Sequence, residues 1–257
     1  MLPLIDTHIH LDFPAPAAAE ADRLAAARSG GVEGFVIPGV KPAGWAGIVA
    51  LAEQQSDVYA APGLHPAYAE QWNGTVAMEL TRLAAQERVV AIGEIGLDGA
   101  VGPAFEIQER VLREQLAIAL KMNLPVLLHA RKATGRLLEI LRELQVGPRV
   151  GGIWHGFSAS LQVARQLVGE GFLIGVGPIL LRENARKLPQ VVTELPLSGL
   201  VLETDYPDMT ADPAVLLQVA ERIAVLREEP LKMVLTATTA NARRLLGVVL
   251  VAGGAGQ

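Results

Sequence analysis

Short apolar runs alternate with amphipathic segments of helical period along most of this chain. Eight runs have the length and composition of buried β-strands: Leu4–His8, Gly34–Pro38, Val58–Gly63, Val89–Gly93, Pro125–Leu128, Gly151–Trp154, Phe172–Val176 and Leu200–Leu202. A predicted helix follows each strand, in the order Ala17–Ser29, Gly44–Gln55, Val76–Gln86, Phe105–Asn123, Gly135–Leu144, Leu161–Glu170, a short helix near Asn184–Leu188, and Ala214–Leu226. Strands and helices that alternate in this way indicate a parallel sheet.

The predicted architecture is α/β, a single closed (β/α)8 barrel of the TIM type over residues 1–257. The strands are continuously apolar, as in Val89–Gly93, which is typical of parallel strands buried on both faces. A last helix at about Leu231–Leu246 is expected to close the end of the barrel where the chain begins, and residues 250–257 are expected to be flexible. The rival is an open doubly wound sheet, which would gather its ligands mainly at one switch point in the strand order.

Composition excludes several classes of protein. No apolar run approaches the roughly 20 residues that span a bilayer, so we expect a soluble protein without a membrane partner. The start of the chain, interrupted by an acid and two histidines, is not expected to be a signal peptide. The absence of cysteine excludes thiolate metal ligands and fits a cytoplasmic location. No obligate protein partner is evident.

The charge balance limits how this chain could bind nucleic acid. A formal net charge of -5 argues against a broad basic face that wraps a duplex, although it permits local capture of a strand end. Aromatic residues make up only 4% of the chain, too few for an extended platform on which bases stack.

All five histidines and two acidic residues come directly after predicted strands. They follow six different strands, which an open sheet would not bring together: His8, His10, His65, Glu94, His129, His155 and Asp205. Taken singly, several have simpler explanations, such as packed core histidines or an Asp that caps the next helix. A barrel, however, brings the carboxyl ends of its strands to one mouth. We therefore expect these side chains to form one site.

The chemistry of this group suits a pair of divalent cations. Four imidazoles and two carboxylates are too many for one four-coordinate ion with an open position, but fit two ions about 3.5–4 Å apart that share a carboxylate. Glu94 is the expected bridge. Imidazole and carboxylate admit Mg²⁺, Mn²⁺ or Zn²⁺ alike. The predicted ligands are His8, His10, Glu94, His129, His155 and Asp205.

An ordered set of motifs resembles the TatD family of metal-dependent hydrolases. The motifs are Asp6-Thr7-His8-Ile9-His10-Leu11-Asp12, Gly63-Leu64-His65-Pro66, Gly93-Glu94-Ile95-Gly96-Leu97-Asp98, His129-Ala130-Arg131, His155-Gly156-Phe157-Ser158 and Glu203-Thr204-Asp205-Tyr206-Pro207. The match runs from residue 4 to about 247. It is strongest to the YjjV-like branch of deoxyribonucleases, through the motif at His155, Ile174-Gly175-Val176-Gly177 and Glu203-Thr204-Asp205.

The resemblance implies a barrel of the amidohydrolase-like type with two divalent metal ions. Residues matching His8, His10, Glu94 and Asp205 would hold one ion, and those matching Glu94, His129 and His155 would hold the other. His65 matches a histidine that lies near the substrate, where it would bind phosphate or protonate the leaving group. The alternative for His65 is a buried partner of a neighbouring acid.

The resemblance also implies hydrolysis of a phosphodiester at DNA ends or in short oligonucleotides. The two ions would clamp the phosphate and lower the pKa of a bound water, and Asp205 would accept the proton of that water. Arg131 is expected to face the mouth and grip a phosphate, although a surface ion pair is an equal alternative. Glu203 and Asp98 are expected to orient imidazoles rather than to bind metal.

The sequence departs from the family pattern in two loops. Tyr206 stands where a small residue is common, and its ring is expected at the mouth, stacking on a base or narrowing the pocket. The loop of residues 207–212 is short, and the Gly-rich stretch 99–103 lacks the usual aromatic residue.

Two other functions compete with the nuclease. One is an amidohydrolase or esterase that cleaves a small molecule on the same type of barrel; relatives of that kind often bridge their ions with a modified lysine, and Glu94 favours the TatD-like interpretation. The other is a non-catalytic metal-binding scaffold, against which the complete ligand set argues.

Overall fold

Eight parallel strands form a ring in the computed structural model, which describes residues 3–12 and 24–248. The strands are β1 (Leu4–Asp6), β2 (Val32–Pro38), β3 (Val58–Ala61), β4 (Ile92–Asp98), β5 (Val126–Arg131), β6 (Gly152–Trp154), β7 (Phe172–Val176) and β8 (Leu200–Leu202). They pair in sequence order, as one sheet of β1 to β3 and another of β4 to β8.

Hydrogen bonds across two seams join these sheets into a closed barrel. Between β3 and β4, Val90 N donates to Ala60 O at 3.0 Å. Between β8 and β1, Thr7 N donates to Leu202 O at 3.0 Å, and just beyond the strands Asp205 N donates to His8 O at 2.9 Å. The predicted (β/α)8 barrel is confirmed, and the open sheet is excluded because its edge strands would not meet.

The continuous apolar character of the strands follows from the two sides of the barrel wall. Because side chains alternate along a strand, Ile5, Leu127 and Ile153 point into the barrel, where they form an interior cluster. Their neighbours Leu4 and Leu128 point outward and belong to the larger cluster under the helices. Because the inward-pointing and outward-pointing side chains are both buried, the apolar runs of the strands are continuous rather than alternating.

Helices cover the outside of the ring. They are α1 (Pro42–Gln54), α2 (Gly74–Leu83), α3 (Phe105–Met122), α4 (Thr134–Glu143), α5 (Val146–Arg149), α6 (Leu161–Gly169), α7 (Lys187–Glu194), α8 (Leu216–Arg227) and α9 (Leu231–Leu246). Residues 24–29 are also helical; the rest of the predicted helix Ala17–Ser29, like the tail 250–257, lies outside the described residues. None of the described helices is both long and apolar enough to cross a membrane.

Two predicted elements lie elsewhere than expected. The strand predicted at Val89–Gly93 begins at Ile92 and continues to Asp98, because its second half pairs with β5 from Ile95 onward, while Val89 makes only an isolated bridge to Ala60. The helix predicted near Asn184–Leu188 begins at Lys187 and extends to Glu194. Pro189 lies in the first turn of that helix, where its missing N–H is not needed.

Helix α9 closes the barrel at the end where the chain begins, as predicted. Ala242 and Leu246 belong to the interior cluster, and Thr239 Oγ1 donates a hydrogen bond of 2.6 Å to Pro3 O. The opposite end of the barrel is therefore left for the loops that follow the strands.

Leu246→Ala should lower the free energy of unfolding by about 2–4 kcal/mol, because it removes a buried side chain from this closure. Met233→Ala, at an exposed position on the same helix, should change it by less than about 0.5 kcal/mol. Urea unfolding of the two variants tests the difference, and equal effects would contradict the packing role of Leu246.

Candidate metal centre

The predicted ligands converge at the carboxyl end of the barrel, although two of them do not follow their strands. Glu94 lies inside β4 and His129 inside β5, because both strands continue further than the apolar runs suggested. His8, His155 and Asp205 come after β1, β6 and β8, as expected. Five strands thus supply side chains to one place.

Glu94 lies at the centre of this group. Its Oε1 forms a hydrogen bond of 2.8 Å with His129 Nδ1 and lies 3.7 Å from His155 Nε2, while its Oε2 lies 3.6 Å from His8 Nε2. The carboxylate is buried. One side chain therefore faces imidazoles from three other strands, the arrangement that a bridging ligand requires.

Asp205 also faces imidazoles, two of which it shares with Glu94, rather than a helix. Its Oδ1 lies 3.6 Å from His8 Nε2 and 3.7 Å from His10 Nε2, and its Oδ2 lies 3.7 Å from His155 Nε2. The cap of the following 3-10 helix is Asp212, whose side chain accepts from Ala214 N. The capping alternative for Asp205 is therefore excluded.

The spacing of these atoms fits a divalent cation. Nitrogen and oxygen atoms 3.6–3.7 Å apart are too distant for a hydrogen bond. Two ligands on one ion, each about 2.1 Å from it at a tetrahedral angle, would lie about 3.4 Å apart. In the described part of the chain, both ring nitrogens of His8 are buried without a hydrogen-bond partner, which is costly unless another group satisfies them.

Three sets of potential ligand atoms lie within 4.8 Å of one another. They are His8, His155 and Asp205; His8, His10 and Glu94; and His65, Glu94 and His129. Glu94 is shared by two of the sets. The site therefore has the donors for a metal, while the number and identity of the ions stay predictions.

Three carboxylates act on the pKa of His155. Burial by itself would lower the pKa of His155, but the carboxylates of Glu203, Asp205 and Glu94 raise that pKa to about 10. Burial would raise the pKa of Glu94, yet the His155 charge and the hydrogen bond to His129 hold it well below its usual value. Without metal, a proton on His155 thus offsets part of the negative charge of these three carboxylates.

His10 and His65 have the opposite tendency. Burial lowers the pKa of His10 to about 3 and also lowers the pKa of His65, so both rings are neutral at pH 7. His65 Nδ1 accepts a hydrogen bond of 3.1 Å from Ala67 N, which leaves the proton on Nε2. The His65 ring lies 4.4 Å from the His129 ring, centroid to centroid.

Asp98 and Glu203 each contact an imidazole of the group. Asp98 Oδ2 forms a hydrogen bond of 3.1 Å with His129 Nε2, and Glu203 Oε1 lies 3.3 Å from His155 Nδ1. Glu203 Oε1 also accepts a hydrogen bond of 2.7 Å from Gly156 N. A Cβ on Gly175 would collide with Glu203 Oε2, so the glycine provides the room that this buried carboxylate occupies. The role of Asp98 and Glu203 in orienting the imidazoles stays a prediction.

Asp6 has a structural role that the sequence analysis missed. Its Oδ1 accepts hydrogen bonds from His8 N at 3.2 Å and Thr204 N at 3.0 Å, and its Oδ2 accepts from Thr204 Oγ1 at 2.6 Å. Burial raises the pKa of Asp6 to about 7. This carboxyl group ties the segment that carries His8 to the segment that carries Asp205. The one available signal was its position two residues before His8.

A cavity of about 320 Å³ opens over the cluster. Its walls include Arg131, as predicted, and three residues that the sequence analysis did not single out, Arg182, Asp208 and Met209. The remaining residues that line it are His10, His65, Glu94, His129, His155 and Asp205.

Tyr206 does not occupy the position that the sequence suggested. The residue is 6% exposed and belongs to the hydrophobic cluster under the helices, and it is not among the residues that line the cavity. Its carbonyl oxygen accepts a hydrogen bond of 2.8 Å from His10 N. The expectation of a ring at the mouth that stacks on a base or narrows the pocket is wrong, because the ring is buried in the core.

Gly175→Ala should lower the affinity for a divalent cation by about 10- to 100-fold, because the new methyl group displaces Glu203 from His155. Gly169→Ala is a matched control, since a Cβ there meets no atom within 4 Å. Competition with a chelator measures both affinities. Equal affinities in the two variants would show that Glu203 does not position His155.

Metal binding at pH 8 should release at least about one proton, because His155 with a pKa of about 10 is protonated in the metal-free site and a ligand must be neutral; the raised pKa of His129 can only add to that number. Affinity should therefore rise with pH and level off above about pH 10. Calorimetry in buffers of different ionisation enthalpy counts the released protons. A count of zero at pH 8 would contradict a charged His155.

This chain is similar to known proteins over almost its whole length. Residues 5–247 match the sequence profile of the family described as TatD related DNase. A protein of Escherichia coli (strain K12) named "uncharacterized metal-dependent hydrolase YjjV" is 38% identical over 256 residues, covering 95% of this chain and 98% of the relative. The crystal structure of YjjV, a TatD homologue from E. coli K12, superposes with a TM-score of 0.90 at 37% identity, covering 96% and 98% of the two chains.

A second group of relatives carries a named activity. The protein called "3'-5' ssDNA/RNA exonuclease TatD" in E. coli (strain K12) is 31% identical over 259 residues, covering 95% of this chain and 99% of that relative.

Proposed function

Because this chain belongs to the TatD related DNase family and is a metal-dependent hydrolase, we propose that it cleaves phosphodiester bonds at DNA ends or in short oligonucleotides. The observation that carries the proposal is the position of Glu94, whose two oxygens face imidazoles from three other strands. The relative named as a single-stranded DNA and RNA exonuclease supports a nucleic-acid substrate.

In this proposal, His8, His10, Glu94 and Asp205 hold one divalent cation, and Glu94, His129 and His155 hold another. Mg²⁺, Mn²⁺ and Zn²⁺ all suit these ligands. Bound cations of this kind polarise phosphoryl oxygens and lower the pKa of water. Asp98 and Glu203 keep the rings of His129 and His155 in the orientation that presents a nitrogen to the site.

Asp205 is the proposed acceptor of the proton from the attacking water. Its carboxylate lines the cavity, and burial raises its pKa above the usual value for an aspartate, which makes it a stronger base. The residue thereby serves both as a ligand and as a general base, and with Glu94 it belongs to the catalytic group.

His65 is the proposed donor to the substrate. With Nδ1 engaged by Ala67 N, its neutral ring carries a proton on Nε2. That N–H donates a hydrogen bond to a phosphate oxygen, and the leaving oxygen takes its proton from water, because a neutral imidazole that lost its only proton would become an imidazolate anion. Arg131 grips the same phosphate; among the described residues its exposed guanidinium has no ion-pair partner, which favours substrate binding over a surface ion pair.

The size of the cavity supports one alternative. At about 320 Å³, it is at the lower end of the range for small-molecule pockets, so a hydrolase of small amides or esters is the second candidate. A non-catalytic scaffold has no comparable support, since each predicted ligand is present and lies at the mouth.

The decisive experiment resupplies metal-stripped protein with Mg²⁺, Mn²⁺ or Zn²⁺ and follows a 5'-labelled single-stranded DNA on a gel. Wild type should shorten the DNA only with metal. Glu94→Gln and Asp205→Asn should each lower kcat by at least about 100-fold, as expected when a bridging ligand or general base is lost.

Glu139→Gln is the matched control, because this carboxylate is exposed on α4 and paired with Arg136 away from the mouth. Its kcat should equal that of wild type. Hydrolysis of small amides or esters without any shortening of DNA would favour the second candidate. Metal binding without hydrolysis of either substrate would favour the scaffold.

A further inference from the structure

Half of the arginines in the described chain, eight of sixteen, are neutralised by a carboxylate. Ion pairs with Asp or Glu hold Arg28, Arg82, Arg110, Arg113, Arg136, Arg142, Arg165 and Arg227. Arg131 and Arg182 differ from these, because within residues 3–12 and 24–248 neither guanidinium forms an ion pair and both line the cavity over the metal centre. Although the protein has a net charge of -5, two arginines without an ion pair among the described residues thus line the cavity over the metal centre.

The backbone that carries Arg182 is held in place. Arg182 ends a 3-10 turn, Pro178–Leu181, in which Leu180 N donates to Gly177 O at 3.0 Å and Arg182 N donates to Ile179 O at 3.2 Å. Pro178 and Leu180 are buried beneath it. The exposed Arg182 side chain therefore projects from a fixed base, which reduces the entropy lost when it binds a ligand.

Arg182 and Arg131 approach the cavity from different sides. Arg131 ends β5 and Arg182 follows β7, while β6, which precedes His155, lies between them. Adjacent strands are about 4.8 Å apart, so the two strands are separated by about 10 Å, more than the width of one phosphate group. The strands from which the two arginines extend are thus far enough apart to place one guanidinium on each of two anionic groups.

Asp208 does not neutralise Arg182. The two residues line the same cavity, yet the described structure contains no ion pair between them. A planar guanidinium in this setting suits bidentate binding of a phosphate, for which arginine is the preferred residue.

We propose that Arg182 forms a second phosphate subsite, which binds the phosphate next to the scissile one. The inference rests on the proposed phosphodiesterase function and adds a substrate class to it: strands with at least two neighbouring phosphates, in preference to isolated diesters. Arg131 serves the scissile phosphate and Arg182 the adjacent one.

Two substrates separate these roles. For a single-stranded oligonucleotide, Arg182→Ala should raise KM about tenfold with kcat unchanged, and should reduce the slope of log affinity against log salt by about 0.7. For bis(4-nitrophenyl) phosphate, which has one phosphate, the same variant should show wild-type kinetics. Arg182→Lys keeps the charge and should recover part of the affinity for the oligonucleotide.

Arg186→Ala is the matched control. Arg186 is also exposed and without an ion pair among the described residues, and it lies four positions further along, but it does not line the cavity. It should leave both substrates unaffected. An equal loss for both substrates in Arg182→Ala would place Arg182 at the scissile phosphate and overturn the subsite, as would no loss for either.

Binding distinguishes failure of the subsite from failure of the proposed function. Fluorescence anisotropy of a labelled oligonucleotide with Ca²⁺-loaded protein requires no turnover. If wild type cleaves neither substrate, the proposed function fails; a tenfold weaker affinity confined to Arg182→Ala would still support the phosphate subsite. Equal affinities of wild type, Arg182→Ala and Arg186→Ala would overturn it.

Discussion

The buried carboxylate of Glu94 is the interaction on which the rest of the site depends. An ionised carboxylate removed from water is unfavourable unless positive charge and hydrogen bonds compensate it. His129 supplies a hydrogen bond of 2.8 Å, and His8 and His155 face the same group at 3.6 and 3.7 Å. These partners come from separate strands, so closure of the barrel is the condition for their meeting. The hydrogen bonds between β8 and β1 therefore both stabilise the barrel and bring the side chains of the site together.

The site is built for a group that carries positive charge. Among the described residues, both ring nitrogens of His8 are buried without a hydrogen-bond partner, and a proton on His155 offsets only part of the charge of three carboxylates. Both features are unfavourable for the folded protein alone. A divalent cation would satisfy both needs at once. Asp98 and Glu203 contact the outer nitrogens of two imidazoles, and Asp6 joins the segments that carry His8 and Asp205. Residues around the site thus hold its side chains in position, and a cation would supply the missing positive charge.

The fold and the ligand types were predictable because both depend on local pattern. Continuous apolar runs between amphipathic helices identified eight strands, and β7 and β8 were predicted with their observed bounds. Prediction failed where tertiary contacts decide the outcome. Strand β4 continues through Glu94 to Asp98 because β5 offers hydrogen bonds there, although the residues are partly polar. The Tyr206 ring packs in the hydrophobic cluster under the helices. The residues next to Tyr206 in the sequence do not indicate this position.

The sequence by itself determined that this chain forms a (β/α)8 barrel of the TatD family with imidazoles and carboxylates at one mouth, because strand period, helix period and motif order are properties of short segments. The tertiary structure alone decided which imidazole faces which carboxylate, that Asp6 binds Thr204 across 198 positions, and that Arg182 joins Arg131 at the cavity. These contacts join residues far apart in the chain. Their distances are fixed only when hydrogen bonds close the ring and the helices pack against it.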